Sequence, residues 1–236
     1  MTFKADPRLI VALDEPNLEA ARALIATLGD TVSFYKIGLT LLAQNDAKGG
    51  GLALCEELAA QGRMIFQDWK LHDIGAQVQG AARAASSGAC HLLTVHAEPQ
   101  VMKAAVAGRD NPDCKIIGVT VLTSLTQGDL DEMGYGLDLR DLILRRVDQA
   151  VACGLDGVVA SPQEAEMIRA RVPEDFLIVT PGVRPVGAAL DDQQRVATPQ
   201  EALLNGASHV VVGRPITRAP DPREAAQNIL AAIHNV

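Results

Sequence analysis

The stretch Phe66-Gln67-Asp68-Trp69-Lys70-Leu71-His72-Asp73 sets two carboxylates and an ammonium within six positions, directly after the apolar run RMIF. Along an extended strand positions 68 and 70 share a face, so Asp68 and Lys70 are expected to point the same way, with Asp73 following after the chain has turned. An exposed ion pair of this kind would contribute little, but a pair at the end of a buried strand is set up for chemistry. Flanking carboxylates favour the charged ammonium over the neutral amine. A Schiff-base lysine must be neutral to attack, so Lys70 is suited less to imine formation than to work as a cationic acid. A fixed ammonium beside a substrate carbon can stabilise developing carbanion charge and then protonate it. A fixed carboxylate next to it disfavours an anionic leaving group in the ground state.

Such residues need a scaffold, and the chain repeats one. Short β-rich apolar runs recur at LIVAL (9–13), VSFYKI (32–37), RMIFQ (63–67), HLLTV (91–95), KIIGVTVL (115–122), GVVA (157–160), FLIVT (176–180) and HVVVG (209–213). Their spacing averages about 29 residues, near the roughly 30 of one βαβ unit. They are near-continuous rather than alternating, as parallel strands covered on both faces are. Helical patterns lie between them. Leu18, Ala21, Leu24, Ile25 and Leu28 form one apolar stripe behind an Asn17 cap, and Leu139, Leu142, Ile143, Val147 and Ala150 form another. Ser161-Pro162-Gln163-Glu164 and Thr198-Pro199-Gln200-Glu201 each read as a capping box with proline at the first helical position, and PREAAQNILAAI supplies the last helix. Eight β/α units close most economically into a single (β/α)8 TIM barrel over residues 1–236. A doubly wound sheet would show a glycine-rich turn after its first strand, where this chain has Asp14-Glu15-Pro16.

In such a barrel the chemistry sits at the C-terminal strand ends. These present Asp14, Lys36, Asp68 with Lys70, His96, Thr123 with Ser124, Ser161, Arg184 and Gly213-Arg214 in turn. Ser161 reads as a helix cap, and His91 and His96 as hydrogen-bonded framework histidines. HVVVGRPIT is a buried strand running into glycine and arginine. Gly213 admits backbone N–H groups to an oxyanion, and Arg214 with Arg184 offers permanently charged, forked donors, so a phosphate site is expected there. The connection PGVRPVGAALDDQQRVATP is long for a compact domain and reads as a lid, with Gln193 able to reach a ligand on closure.

Composition narrows the field further. The 236 residues are 48% hydrophobic and carry a formal charge of −8, with no clustering of Lys or Arg, which argues against nucleic-acid binding. Cys55, Cys90, Cys114 and Cys153 lie far apart and read as apolar residues of a reducing compartment rather than zinc ligands. MTFKADPRL lacks the form of a secretory signal and no run is long enough for a membrane span, so a soluble cytoplasmic protein is expected.

The motifs taken together resemble a known family. D-x-K-x-x-D after the third strand, with VALD, YKIG, TVLTS, VTPGVRP, DDQ and VVGRPIT in this order, is similar to orotidine 5'-phosphate decarboxylase, from LIVALD through GRPITRAPDP. The resemblance implies a cofactor-free decarboxylation of orotidine 5'-phosphate to UMP in pyrimidine biosynthesis. In it Lys70 would protonate C6 of the pyrimidine, with Asp68 beside the substrate carboxylate. It also implies a homodimer in which Asp73 is lent across the interface to the partner's ribose. Asp14 and Lys36 would hold ribose hydroxyls, Thr123 would meet the base, and Arg184, Gln193, Gly213 and Arg214 would take the phosphate, with Ile74 and Gln77 completing the substrate-binding set. The chain departs from the pattern after DIG, where Ala76-Gln77 stands in place of the Pro-Asn-Thr of many members, and at Trp69, where a smaller aliphatic residue is frequent.

Two other functions fit parts of the pattern. A Mg2+-dependent phosphosugar decarboxylase or aldolase of the same barrel group would need oxygen ligands beyond Asp68, and Glu56 and Glu57 lie in a helix away from it. A phosphate-binding barrel without turnover would need Arg214 and the lid but not the alternating charges.

Overall fold

The chain closes eight parallel strands into a barrel in which each strand pairs with the next in chain order and the last pairs with the first. The structure, a computed structural model, describes residues 5–184, 197–234 and 236. The strands are β1 (Leu9–Leu13), β2 (Phe34–Gly38), β3 (Met64–Leu71), β4 (Leu92–His96), β5 (Lys115–Val119), β6 (Gly157–Val159), β7 (Leu177–Pro181) and β8 (His209–Val212). Each corresponds to one of the eight apolar runs, and the expected (β/α)8 architecture is the one observed.

Strand alternation divides the core into two layers. Ile10, Ala12, Phe34, Phe66, Ile117, Val119, Val159, Val179 and Val211 fill the barrel interior. Their neighbours Leu9, Val11, Tyr35, Ile65, Ile116, Val158, Ile178 and Val210 face the surrounding helices. Both faces are thus apolar, which is why the runs lack a polar alternation. The helices supply the other half of the outer layer. Leu18, Ala21, Leu24 and Leu28 are the buried face of Leu18–Leu28, whose cap is Asn17 accepting from the Ala20 N–H at 2.8 Å. Thr198 and Ser161 both form reciprocal capping boxes, though the latter opens a 3-10 turn (Pro162–Glu164) ahead of a short helix (Ala165–Arg169).

Three features depart most from the sequence expectation. The third strand runs on through Asp68, Trp69 and Lys70 to Leu71. The fifth stops at Val119 rather than 122, its last pairing being with Val159 on the next strand. A two-stranded hairpin, Asn45–Asp46 with Gly49–Gly50, lies in the connection before the Gly51–Ala60 helix and carries no apolar signal by which it could be read.

Candidate active site

The interior period of two runs past the apolar layer and ends in charge. Beyond Ile10 and Ala12 comes Asp14, beyond Phe34 comes Lys36, and beyond Phe66 comes Asp68. The alternation that builds the core therefore also delivers three ionisable side chains to one end of the barrel. Lys36 Nζ lies 3.5 Å from Asp14 Oδ1 and 3.2 Å from Asp68 Oδ2, and Lys70 Nζ lies 2.8 Å from the same Asp68 oxygen. The result is a chain of alternating sign, Asp14–Lys36–Asp68–Lys70, whose formal charges cancel.

Burial would by itself raise the Asp68 carboxyl, but the ammoniums of Lys36 and Lys70 and the hydrogen bond from Thr94 outweigh it and hold the group below the usual carboxylate range. Burial likewise works against a charged Lys36, and Asp68 with Asp14 overcomes it, so its ammonium is held above the ordinary lysine value. Asp68 is thus an anion and Lys36 a cation at neutral pH.

Lys70 does not reach Asp68 by the route expected of an extended strand. Its φ is +49°, the one positive value outside glycine among the described residues, and the pairing of β3 with β4 slips between Gln67 and Leu71. Asp68 and Lys70 do meet, but across a bulge with a left-handed residue in it rather than on one face of a regular strand. Trp69 turns outward, donating from its indole N–H to Gln67 Oε1 at 3.0 Å and packing on the outer core.

These groups line a cleft at the barrel mouth that encloses about 940 Å³ with its opening. Its lining includes Asp14, Lys36, Asp68 and Lys70 together with Thr123, Arg184, Gly213 and Arg214. Phe66, Val119, Val159 and Val211 form an apolar floor. An apolar floor, a charged corner and two arginines suit a ligand with a planar ring and an anionic group. Eight of the expected site residues are thereby brought together. Asp73, Ile74 and Gln77 are not among them: all three are exposed beside the mouth, with the Asp73 carboxylate accepting from the Ile74 N–H at 2.6 Å. Gln193 and most of the expected lid lie outside the described residues.

Other expectations can be placed. His91 is a framework residue, its Nδ1 accepting from the Ile65 N–H at 3.0 Å, and His96 stacks on His72 with ring centroids 4.8 Å apart. Glu56 accepts from the Ala89 N–H and Glu57 binds Arg22, so neither approaches Asp68. Among the described residues no three His, Cys, Asp or Glu side chains assemble as a metal-ligand set.

The sequence reading passed over two residues. Thr94 is wholly buried on β4 and its hydroxyl lies between Asp68 and the Lys70 backbone. The signal was present: Leu92 and Thr94 share the interior register, and a hydroxyl one step above an apolar layer is out of place unless something uses it. Arg146 donates to Thr120 O and to the Tyr135 hydroxyl, tying down the loop that carries Thr123. It sits mid-helix, where no local pattern marks it.

Residues 7–229 match the model of the orotidine 5'-phosphate decarboxylase / HUMPS family. The chain belongs to that family. It is 57% identical over 237 residues to the orotidine 5'-phosphate decarboxylase of Caulobacter vibrioides, covering 98% of this chain and 99% of the relative. It is 54% identical to that of Ruegeria pomeroyi, covering 96% and 94%. The crystal structure of orotidine 5'-phosphate decarboxylase from Lactobacillus acidophilus superposes with a TM-score of 0.83 at 35% identity, covering 97% and 99%. The resemblance drawn from the motifs, and with it the reading of the chain as an enzyme, both stand. No helix among the described residues is long and apolar enough to cross a membrane. Within the orotidine 5'-phosphate decarboxylase family, then, this chain carries the D-x-K-x-x-D segment on a bulged third strand, with its first aspartate clasped by two lysines.

Proposed function

We propose that this chain converts orotidine 5'-phosphate to UMP and carbon dioxide, with Lys70 as the group that stabilises and protonates C6. The observation that carries the reading is the Asp68 carboxylate held between Lys36 and Lys70 at the edge of an apolar floor. A pyrimidine lying on that floor, with its phosphate toward Arg184 and Arg214, sets its C6 carboxylate against Asp68. The carbanion left when carbon dioxide departs then forms beside the Lys70 ammonium. The C6–carboxylate bond breaks, its electron pair stays on C6, and Lys70 delivers a proton there to give UMP. Lys70 afterwards regains a proton from water. Asp14 and Lys36 are assigned the ribose hydroxyls, Thr123 the base, and Arg184, Gln193, Gly213 and Arg214 the phosphate.

Asp73, Ile74 and Gln77 fit this scheme only across a boundary. They lie outside the cleft of their own chain, and Ile74 is 63% exposed at its rim. We assign them to the site of a second copy in a homodimer, with Asp73 toward the partner's ribose. The cytoplasm suits the chain, since its four cysteines are unpaired and three of them are buried.

The test is conversion of orotidine 5'-phosphate by purified protein in excess EDTA. Formation of UMP at an undiminished rate is expected. Activity that disappears with the chelator would point to the metal-dependent lyase, and binding of UMP without any turnover would leave only a phosphate-binding barrel.

A further inference from the structure

The slip between β3 and β4 sets three residues against one. Gln67 is opposite Leu93 and Leu71 is opposite Val95, so Asp68, Trp69 and Lys70 together face the single residue Thr94. A bulge of this size leaves backbone groups without ladder partners. One of them is the Lys70 N–H, and it donates instead to Thr94 Oγ1 at 3.0 Å. The Thr94 hydroxyl in turn donates to Asp68 Oδ1 at 2.8 Å.

A hydroxyl has one proton to give. Here it goes to Asp68 Oδ1, and a lone pair takes the Lys70 amide. That division leaves Asp68 Oδ2 for the two ammoniums, Lys70 at 2.8 Å and Lys36 at 3.2 Å. Thr94 is completely buried, and its branched Cβ restricts its χ1.

We infer that Thr94 is a positioning residue for the catalytic pair. Its hydroxyl holds the Lys70 backbone in the left-handed conformation and fixes the rotation of the Asp68 carboxylate, so that the ammonium stands at a set place over the apolar floor. A non-glycine residue at φ +49° persists only where its surroundings determine it, and the Thr94–Lys70 hydrogen bond is such a determinant. The catalytic consequence rests on the decarboxylase reading given above; the positioning itself does not.

Two substitutions separate the hydroxyl from the rest of the side chain. Thr94→Val keeps the shape and removes both hydrogen bonds, while Thr94→Ser keeps the hydroxyl and removes the methyl. Steady-state kinetics with orotidine 5'-phosphate and UMP affinity are measured for both. For Thr94→Val, kcat is expected to fall by about 100-fold, the scale of a small misplacement of a reacting group. UMP affinity should stay within about threefold, and Thr94→Ser should return kcat to within about threefold of the parent. A Val variant within threefold of the parent in kcat, or a Ser variant as impaired as the Val variant, would overturn the inference. If Thr94→Val does not fold, Thr94→Ala carries the same expectations.

Hydrogen exchange at the Lys70 amide, read by NMR, decides the matter without turnover. It should speed up by at least about tenfold in the Val variant, with Leu93 and Val95 unchanged; an unchanged Lys70 amide overturns the positioning role. If the parent protein does not decarboxylate the substrate, the functional reading fails while the exchange result still decides the role of Thr94.

Discussion

Lys36 and Lys70, from neighbouring strands, close on one oxygen of Asp68, at 3.2 and 2.8 Å. Two ammoniums held this near each other repel unless an anion lies between them, and their attraction to it counts for more away from water than in it. Asp68 is that anion. It is nearly buried, with 8% of its side chain exposed, and the Thr94 hydroxyl occupies its second oxygen. The carboxylate therefore organises the site before any substrate arrives.

Replacing Asp68 by Asn removes the anion and keeps the shape. Two cations then face each other in a partly buried corner, and the fold should lose about 2–3 kcal/mol, discounted from the cost of a fully buried orphaned charge because Lys70 keeps access to water. Turnover should fall by about 1,000-fold or more. Adding Lys36→Met to the Asn variant relieves the repulsion and should recover part of the stability but none of the activity. Urea denaturation of the three proteins checks this, and an Asn variant as stable as its parent would be the contrary result.

The proposed lending of Asp73 to a partner's site is tested by a mixing experiment. Asp73→Ala and Lys70→Ala proteins should each be nearly inactive alone. Unfolded together and refolded, random pairing should restore about one quarter of the parent activity, since half of the dimers are mixed and each carries one intact site. Mixtures no more active than their components would remove Asp73 from the partner's site.

His209 should make the fold sensitive to mild acid. It opens β8 at the end of the barrel away from the cleft and meets Phe34 edge-on with ring centroids 6.0 Å apart. Its Nδ1 is buried without a hydrogen-bond partner among the described residues. Burial pushes its pKa down to about 4 from 6.5, with Asp6 opposing weakly. The folded value is the depressed one, so the unfolded chain takes up the proton first. The contribution of neutral His209 is then fully present above pH 6.5 and is lost as pH falls toward 4. By pH 4 the loss is on the order of 3 kcal/mol. Asp68, also depressed, loses its contribution only below its ordinary value of 3.8, outside this window. Urea midpoints between pH 7 and 4.5 should drop for the parent and drop less for His209→Phe; parallel curves would show that His209 does not titrate in this way.

The legible and the hidden parts of this molecule have different physical origins. The eight strands could be read because a parallel strand covered on both faces must be a short apolar run, and LIVAL, HLLTV and HVVVG are such runs. The caps at Asn17, Ser161 and Thr198 could be read because an orphaned N–H at a helix start selects few side chains. Asp14, Lys36 and Asp68 followed from where those strands end. The bulge at Lys70 could not, since lysine carries no preference for positive φ and the hydroxyl that takes its displaced N–H belongs to a threonine 24 positions away in β4. The hairpin at Asn45–Gly50 was hidden because its four paired residues bury no apolar side chain. Asp73, Ile74 and Gln77 carried no signal of their own that they stand outside the cleft, because their placement depends on how the chain turns after Leu71.

The central claim is that the Lys70 ammonium supports a carbon anion and protonates it. Single-turnover and steady-state measurements on Lys70→Ala with orotidine 5'-phosphate, alongside its affinity for UMP, test it most directly. The account predicts a folded variant that binds UMP within about tenfold of the parent yet decarboxylates more slowly by a factor of about 10,000 or more. A folded Lys70→Ala protein that forms UMP within about tenfold of the parent rate would contradict it.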